Sequence, residues 1–384
     1  MEKIVILGAS GSIGTQAINI IKEKKNFELV GISVGENLKV AEELIQNFSL
    51  LYVCLKNKSA YKVFKKKYPH IQFFYGDKGL LKLIKKSGCE SVLNALVGFS
   101  GVMPSIESLK LNKILYLANK ESLVCAGDII NELIAKNNGK LYPIDSEHVA
   151  IEKCLKNVKK GELDFIGLTC SGGPFLHKKL DNFDKITLKD ALKHPSWSMG
   201  KKITVDSATL MNKAFEIIEA HYLFDVYAKD IKVFIDPNSY VHSLIHLKDG
   251  TYKLQVSKPS MQYPLEYALA KNRNYYQDVE INTFKNYKFY EVDKEKFPLI
   301  NYGYLVVLFK GNSGVTLNAA NDMAVKAFLE ESIKYIDIKF IIDKIMKEYN
   351  YTKKISVRGL MKQNRKIVYK TNKIINELKK KREN

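Results

Sequence analysis

The sequence predicts an α/β protein: an N-terminal doubly wound parallel sheet, a central α+β region and a small C-terminal helical bundle. Three observations carry this. Short apolar runs alternate with helix-like segments over the first 145 residues, a glycine-rich loop follows the first run, and beyond about residue 146 single strands and a hairpin signal replace the alternation.

The apolar runs are Lys3 to Leu7, Leu29 to Val34, Leu51 to Leu55, Ile71 to Tyr75, Val92 to Val97, Ile114 to Ala118 and Leu141 to Ile144. Strands covered on both faces read as uninterrupted apolar stretches, as Ile4-Val5-Ile6-Leu7 does. Further on, Phe165 to Leu168 and Ile231 to Ile235 read as strands. Lys248-Asp249-Gly250-Thr251, between two alternating segments, reads as a hairpin turn, so antiparallel pairing is expected. Tyr275 to Pro298 is polar, aromatic and irregular, and reads as a connector. Asn318 to Glu331 and Ile338 to Tyr349 repeat apolar residues at the helical period, which predicts a helical C-terminal domain. The expected division is 1–145, 146–274, 275–298 and 299–384, in keeping with a 384-residue chain too long for one core.

Lys and Arg number 61 against 41 Asp and Glu, a formal charge of +20 that favours acidic partners. The lysines are scattered, with short clusters at Lys65 to Lys67 and Lys379 to Lys381 that read as solvated helix faces. The basicity is therefore read as a compositional bias and not as a nucleic-acid footprint, and small anionic substrates are expected. A nucleic-acid binder is the rival, and it would show steeply salt-sensitive, metal-independent binding. Cys54, Cys89, Cys125, Cys154 and Cys170 include no C-x-x-C pair, which fits a reducing cytoplasm. An apolar run directly after Met-Glu-Lys leaves no room for a signal sequence, and no stretch approaches the ~20 apolar residues of a membrane span.

Gly8-Ala9-Ser10-Gly11-Ser12-Ile13-Gly14 sits between the first strand and a helix, the context of a Rossmann-like dinucleotide loop. The glycines allow the turn, the approach of backbone to a pyrophosphate, and close helix packing, while the helix N-terminus offers N–H groups to phosphate. An ordinary glycine turn is the alternative. Val34-Gly35-Glu36-Asn37 follows roughly 20 residues later, where an adenosine ribose is expected. Glu36 suits a free 2′-hydroxyl better than a 2′-phosphate; Ser33, Asn37, Lys39 or Lys56 are the candidates to answer a phosphate.

Asp145 and Glu147, at i and i+2 after an apolar strand, share one side of an extended backbone. Hard oxygen ligands suit Mg²⁺ or Mn²⁺ and not zinc. Alone, Asp145-Ser146-Glu147-His148 reads more readily as a helix cap, with Ser146 or Asp145 capping a helix that starts near Val149. Asn212, Lys213 and Glu216 share a helix face at i, i+3 and i+4 spacing, for which a solvated face with an ion pair is the alternative.

With these segments go Ala-Asn-Lys-Glu-Ser-Leu-Val at 118 to 124, Ser-Gly-Gly-Pro-Phe at 171 to 175, His194-Pro-Ser-Trp197-Ser-Met-Gly200, Val-Asp-Ser-Ala-Thr-Leu-Met-Asn-Lys at 205 to 213, and Asn318-Ala-Ala-Asn321. In this order, over nearly the whole chain, they closely resemble the 1-deoxy-D-xylulose 5-phosphate reductoisomerase family. The resemblance implies NADPH, a divalent metal (Mg²⁺ or Mn²⁺), a sugar-phosphate substrate and a cytoplasmic homodimer with neither membrane nor nucleic-acid partners. It implies that Asp145, Glu147 and Glu216 bind the metal, overriding the cap and solvated-face readings. It implies catalytic roles for Lys120, Asp145, Glu147, His194 and Glu216. Ser171, Ser207, Asn212 and Lys213 would hold the substrate phosphate; Ser146, Lys120 and His194 would meet its hydroxyl and carbonyl end. Trp197, the only tryptophan, would lie on a mobile lid over the substrate, with Glu147 and Glu216 also in contact. Gly8, Ser10, Gly11, Ser12, Ile13, Gly35, Asn37, Asn119, Glu121 and Gly200 would bind the cofactor.

Five positions depart from the family pattern. Asp236 and Asn238 replace His and Gln, Gln262 replaces Arg in a Met-Arg-x-Pro context, Glu36 replaces Lys or Arg, and Asp322 replaces Glu. Ser239 and His242 are retained beside the first pair, as supporting or substrate contacts; a hydrogen-bonded strand histidine is the alternative for His242. The expected chemistry is metal-assisted rearrangement of 1-deoxy-D-xylulose 5-phosphate and hydride reduction to 2-C-methyl-D-erythritol 4-phosphate. A plain NAD(P) dehydrogenase on this fold is the rival, separated from it by the branched product.

Overall fold

The computed structural model describes residues 1–159, 161–194, 197, 199–270 and 288–383. The predicted connector from Tyr275 lies outside the described residues as far as 287. The chain forms two compact units. The first gathers Met1–Ser122, Ile129–Val149 and the described residues of Ser260–Tyr275; the second gathers Leu123–Asp128 and the described residues of Ala150–Pro259 and Tyr276–Asn384.

All seven predicted N-terminal strands form, with small shifts at their ends: β1 (Glu2–Leu7), β2 (Phe27–Val34), β3 (Tyr52–Leu55), β4 (Gln72–Tyr75), β5 (Ser91–Asn94), β6 (Ile114–Leu117) and β7 (Leu141–Pro143). They make a parallel sheet in the order β4-β3-β2-β1-β5-β6-β7. The alternating side chains of β1 explain its unbroken apolar run. Ile4 and Ile6 pack with Ala17, Ile18 and Ile21 of the helix Ser12–Lys24, whereas Val5 and Leu7 pack with Leu80, Leu83 and Ile84 of the helix Gly76–Lys86. A later helix, Gln262–Leu269, adds Leu265, Ala268 and Leu269 to the first of these cores. The strand order reverses direction between β1 and β5, so the loops after both open a crevice at the carboxyl edge of the sheet.

In the second unit, β8 (Leu163–Cys170), β9 (Ile231–Ile235), β10 (Val241–Leu247), β11 (Tyr252–Val256) and β12 (Tyr290–Glu291) form a mixed sheet in the order β11-β10-β8-β9-β12. The predicted hairpin joins β10 to β11, its turn shaped by Gly250 at φ +88° and by Asp249, which accepts from Thr251 N. The expectation of antiparallel pairing meets one exception, because β8 and β9 run parallel. The chain between them passes through the helices Lys201–Ala208 and Met211–Phe224 before returning, a crossover of the kind parallel pairing requires.

Ile166, Leu168, Ile231, Ile245 and Leu247 turn one face of this sheet toward the helices. The same apolar core takes in Phe215, Leu317, Ile338, Ile341 and Ile367. The helices Asn301–Phe309, Ser313–Leu329, Tyr335–Glu348 and Val357–Glu383 therefore share a core with the central region. Among the described residues, no helix is long and apolar enough to cross a membrane and no disulfide joins the cysteines.

Candidate active site

The glycine loop leaves β1 under tight steric control. Gly8 has φ +82°, and a Cβ there would lie 2.6 Å from the carbonyl oxygen of Ala95; a Cβ on Gly14 would lie 2.3 Å from that of Gly8. No side chain fits at either position. The loop is tied to β2, since Gly8 N donates to Ser33 Oγ at 2.9 Å and Ala9 N to Ser33 O. Gly11 caps the helix Ser12–Lys24 without any side-chain capping bond, while Gly11 and Ser12 are exposed and Ser10 and Ile13 half-buried. A helix N-terminus that no side chain caps, opening beside a turn that only glycine can make, fits a pyrophosphate.

At the ends of β2 and β3, the register pairs Val34 with Leu55, so Glu36 and Lys56 leave the sheet side by side. Lys56 Nζ meets Glu36 Oε1 at 2.8 Å, and both side chains are exposed. Asn37 Oδ1 accepts from Val40 N and caps the next helix. Asn119 and Glu121 are buried and bonded to each other; Asn119 Nδ2 also donates to the carbonyls of Leu96 and Gly98, holding the loop after β5. Gly200, unlike the other expected cofactor residues, belongs to the second unit.

The first unit also holds Lys120 and Asp145, which follow the paired ends of β6 and β7. Lys120 Nζ donates to Asp145 Oδ2, while Asp145 Oδ1 accepts from the backbone N–H groups of Glu147 (3.1 Å) and His148 (3.3 Å). Asp145 is thus the helix cap that the local sequence suggested, and the helix starts at Ser146, earlier than the expected Val149. His148 is fully buried, with Nδ1 3.0 Å from Asp145 Oδ1. Burial alone would raise the pKa of Asp145, but the Lys120 ammonium and then His148 outweigh it and hold the carboxyl well below the usual carboxylate range. Ser146 Oγ donates to Glu147 Oε2. The carboxylates of Asp145 and Glu147 offer oxygen donors, the chemistry a magnesium or manganese ion accepts, while His148 places a ring nitrogen, Nδ1, beside Asp145.

In the second unit, β8 runs out into Ser171, followed by Gly172 and Gly173 at φ +81° and +68°. His194 Nε2 lies 3.1 Å from Ser207 Oγ and 3.4 Å from Ser171 Oγ, and Nδ1 accepts from Trp197 N at 3.0 Å. Because Nδ1 accepts, Nε2 carries the ring proton and donates toward the two hydroxyls. Burial pushes the His194 pKa below its ordinary value, which keeps the ring neutral. The Trp197 ring meets His242 edge-on at 6.2 Å, and His242 Nε2 is 3.2 Å from Ser257 O. Pro195, Ser196 and Ser198 of the expected lid lie outside the described residues.

Glu216 and Lys213 are buried on the helix Met211–Phe224. Lys213 Nζ donates to Glu216 Oε2 and to the carbonyl of Thr169, while Asn212 Nδ2 donates to Glu216 Oε1. The solvated-face reading fails here, since both ionic residues are enclosed. A cavity of about 480 Å³ adjoins Ser171, bordered by His177, Lys178, Lys193 and Asp190.

Within the second unit Ser171, His194 and Ser207 come together, as do Asn212, Lys213 and Glu216; within the first, Lys120 comes together with Asp145, and Ser146 with Glu147. Sequence reasoning assigned no role to Lys202, Asp206 or Asn321. Buried Asp206 accepts from Asn321 Nδ2 at 2.7 Å, and Lys202 bridges Asp206 and Asp322 at 3.0 and 3.1 Å, anchoring the helix that carries Ser207. The signal was present in Asn318-Ala-Ala-Asn321, whose partner Asp206 lies 115 residues earlier in the chain. The Asp236 departure also has a local reason: its carboxylate accepts from the backbone N–H groups of Asn238, Tyr240 and Val241 and shapes the turn before β10. Gln262 donates to Glu266 at 2.9 Å.

Comparison with known proteins agrees with these motifs. The family model described as 1-deoxy-D-xylulose 5-phosphate reductoisomerase matches residues 4–127, and the two models of that enzyme's C-terminal domain match 141–224 and 256–368. The 1-deoxy-D-xylulose 5-phosphate reductoisomerase of Lachnospira eligens is 38% identical over 94% of this chain and 96% of its own. That of Microcystis aeruginosa is 40% identical over 90% of each. Among solved structures, a DOX-P reductoisomerase in complex with NADPH, fosmidomycin and magnesium aligns with TM-score 0.91 at 31% identity over 99% of both chains. The Zymomonas mobilis enzyme in complex with NADPH aligns with TM-score 0.89 at 26% identity, over 97% of this chain and 99% of the other.

Proposed function

The chain belongs to the 1-deoxy-D-xylulose 5-phosphate reductoisomerase family, and from that premise we propose how its residues divide the work of the reaction. The enzyme converts 1-deoxy-D-xylulose 5-phosphate to 2-C-methyl-D-erythritol 4-phosphate with NADPH and a divalent metal. The carrying observation is the agreement of three family matches, spread over most of the chain, with the built sites of both units.

Gly8, Ser10, Gly11, Ser12 and Ile13 receive the pyrophosphate of NADPH on backbone N–H groups, and Gly35 and Asn37 border the adenosine. Asn119 and Glu121 act by fixing the loop after β5, and Gly200 is the remaining member of the cofactor set. NADPH supplies the hydride. Asp145, Glu147 and Glu216 are the residues that would hold Mg²⁺ or Mn²⁺, which would supply Lewis acidity toward the substrate carbonyl. Lys120 keeps Asp145 ionised for this role, and Ser146 orients Glu147. Ser171, Ser207, Asn212 and Lys213 hold the phosphate. His194, expected at the hydroxyl and carbonyl end of the substrate, reaches it from beside Ser171 and Ser207, and its contacts with both hydroxyls support a position next to the phosphate. Gripping this remote group lets binding energy orient the reacting carbons. Trp197, resting on His242, covers the substrate and excludes water.

The 1–145, 146–274, 275–298 and 299–384 divisions describe roles on this reading: cofactor, catalysis, connection and support. A cytoplasmic location and a homodimer complete the proposal. The dimer is supported by the sheet face turned away from the helices, where Tyr252, His246, Phe165 and Phe234 form a chain of ring contacts.

Glu216→Gln tests the metal assignment. The expected result is nearly unchanged NADPH affinity by fluorescence titration, with Mn²⁺ affinity and turnover each reduced by more than about a hundredfold. A variant that keeps most of its turnover and its Mn²⁺ affinity refutes the assignment.

A further inference from the structure

We propose that Lys56 is the residue that binds the 2′-phosphate of NADPH, and that Glu36, by pairing with Lys56, limits the preference for NADPH over NADH. The inference rests on the dinucleotide reading of the Gly8 loop. Of the four side chains the sequence offered to a 2′-phosphate, Ser33 is committed elsewhere, buried with its hydroxyl on Gly8 N, while Asn37 turns its carbonyl oxygen to capping the helix Leu38–Asn47 and has only its neutral Nδ2 to offer a dianion. Lys39 lies on the exposed first turn of that helix. Lys56 alone among them is drawn to the residue at the ribose position, 2.8 Å from Glu36.

Two observations place the pair at the adenosine end, and a third bears on how it responds to a cofactor. Both residues follow the register-paired ends of β2 and β3, at the carboxyl edge where nucleotides bind open α/β sheets. The neighbouring Gly35 has open space at its Cβ direction, with nothing within 4 Å, so local packing does not demand glycine there. A ribose approaching that bare backbone would. The pair is also exposed, 61% for Lys56 and 74% for Glu36, so its ions exchange partners without a buried charge being stranded.

The two cofactors then meet the same pair differently. NADH offers a 2′-hydroxyl, which donates to Glu36 while Lys56 stays with the carboxylate. NADPH brings a phosphate dianion, which draws Lys56 away and leaves Glu36 facing a like charge. Lys56 gives the preference its sign; Glu36 takes part of it back.

Direct binding of NADPH and NADH to the full-length protein, by calorimetry at low and high salt, tests this. Glu36→Gln should tighten NADPH about fivefold with NADH unchanged or weakened. Lys56→Ala should weaken NADPH about tenfold, leave NADH within about twofold, and remove most of the salt sensitivity of the NADPH advantage. Unchanged NADPH affinity in Lys56→Ala, or a loss carried instead by Lys39→Ala, overturns the assignment while leaving the dinucleotide site intact. Failure of the unaltered protein to bind either nucleotide overturns the dinucleotide reading, and the assignment with it.

Discussion

His194 shows how one side chain couples a loop to two hydroxyls from distant segments. Its Nδ1 accepts from Trp197 N, and its Nε2 proton reaches toward Ser207 and Ser171, so the neutral ring links all three. Protonation would set an Nδ1–H against the Trp197 N–H and break the link. Burial lowers the pKa below the ordinary ~6.5 of the unfolded chain, so the neutral ring contributes stability fully above that value and loses it as pH falls through the folded-state value. The expected outcome is a rise of about tenfold in KM for the sugar phosphate on the acid side of that lowered pKa, with NADPH affinity steady. His194→Gln should flatten this limb, beyond whatever the substrate phosphate itself contributes; a limb of the same depth in the variant would remove His194 from the site. Asp145 behaves in the same sense at lower pH: with its pKa held down, the stability it contributes is present above the unfolded value and lost on further acidification.

Among the elements, the turn between β1 and its helix is the one most tightly specified by sterics. Gly8→Ala would put a methyl group 2.6 Å from Ala95 O in a backbone region that disfavours side chains, at a cost of about 2 kcal/mol or more. Thermal unfolding should show the loss, and calorimetry should show NADPH binding weakened with it; a variant as stable as the parent would mean that the loop relaxes freely. Elements of this kind were legible in the sequence. Seven continuous apolar runs became seven parallel strands, because strands buried on both faces leave their pattern in consecutive residues. The β10–β11 hairpin was legible for the same local reason. The parallel β8–β9 pair was not, since its partners are separated by two helices and nothing local announces the return. The helix Val357–Glu383 left little signal: its fully buried positions, such as Leu360, Ile367 and Thr371, are sparse among lysines. In the candidate site, local spacing suggested the helix cap at Asp145 and the shared face of Asn212, Lys213 and Glu216, but neither the pairing of Asp145 with Lys120 nor the enclosure of Glu216. The grouping of His194 with Ser171 and Ser207 depends on three distant segments meeting, which spacing cannot encode.

For the whole molecule, a formal charge of +20 opposes self-association, so a homodimer must draw on apolar area to outweigh repulsion. The second sheet offers such a surface. Its register sets Tyr252, His246 and Phe165 directly across from one another, with Leu254 and Phe234 on the same side, while the alternate residues Ile166, Ile245 and Ile231 enter the core. Tyr252 and Leu254 remain 54% and 43% exposed on the edge strand β11, apolar area open to a second copy. Sedimentation velocity should therefore find a dimer that tightens as salt rises from about 50 to about 300 mM, because screening relieves repulsion without touching apolar contact. Joint Tyr252→Asp and Leu254→Asp substitution places carboxylates on that face, where the protein's net charge would welcome them in the monomer but their desolvation would oppose the interface. The doubly substituted protein should sediment as a folded monomer and bind NADPH as before. A parent protein that is monomeric at every concentration and salt level, or a substituted one that dimerises equally well, would remove this face from the assembly.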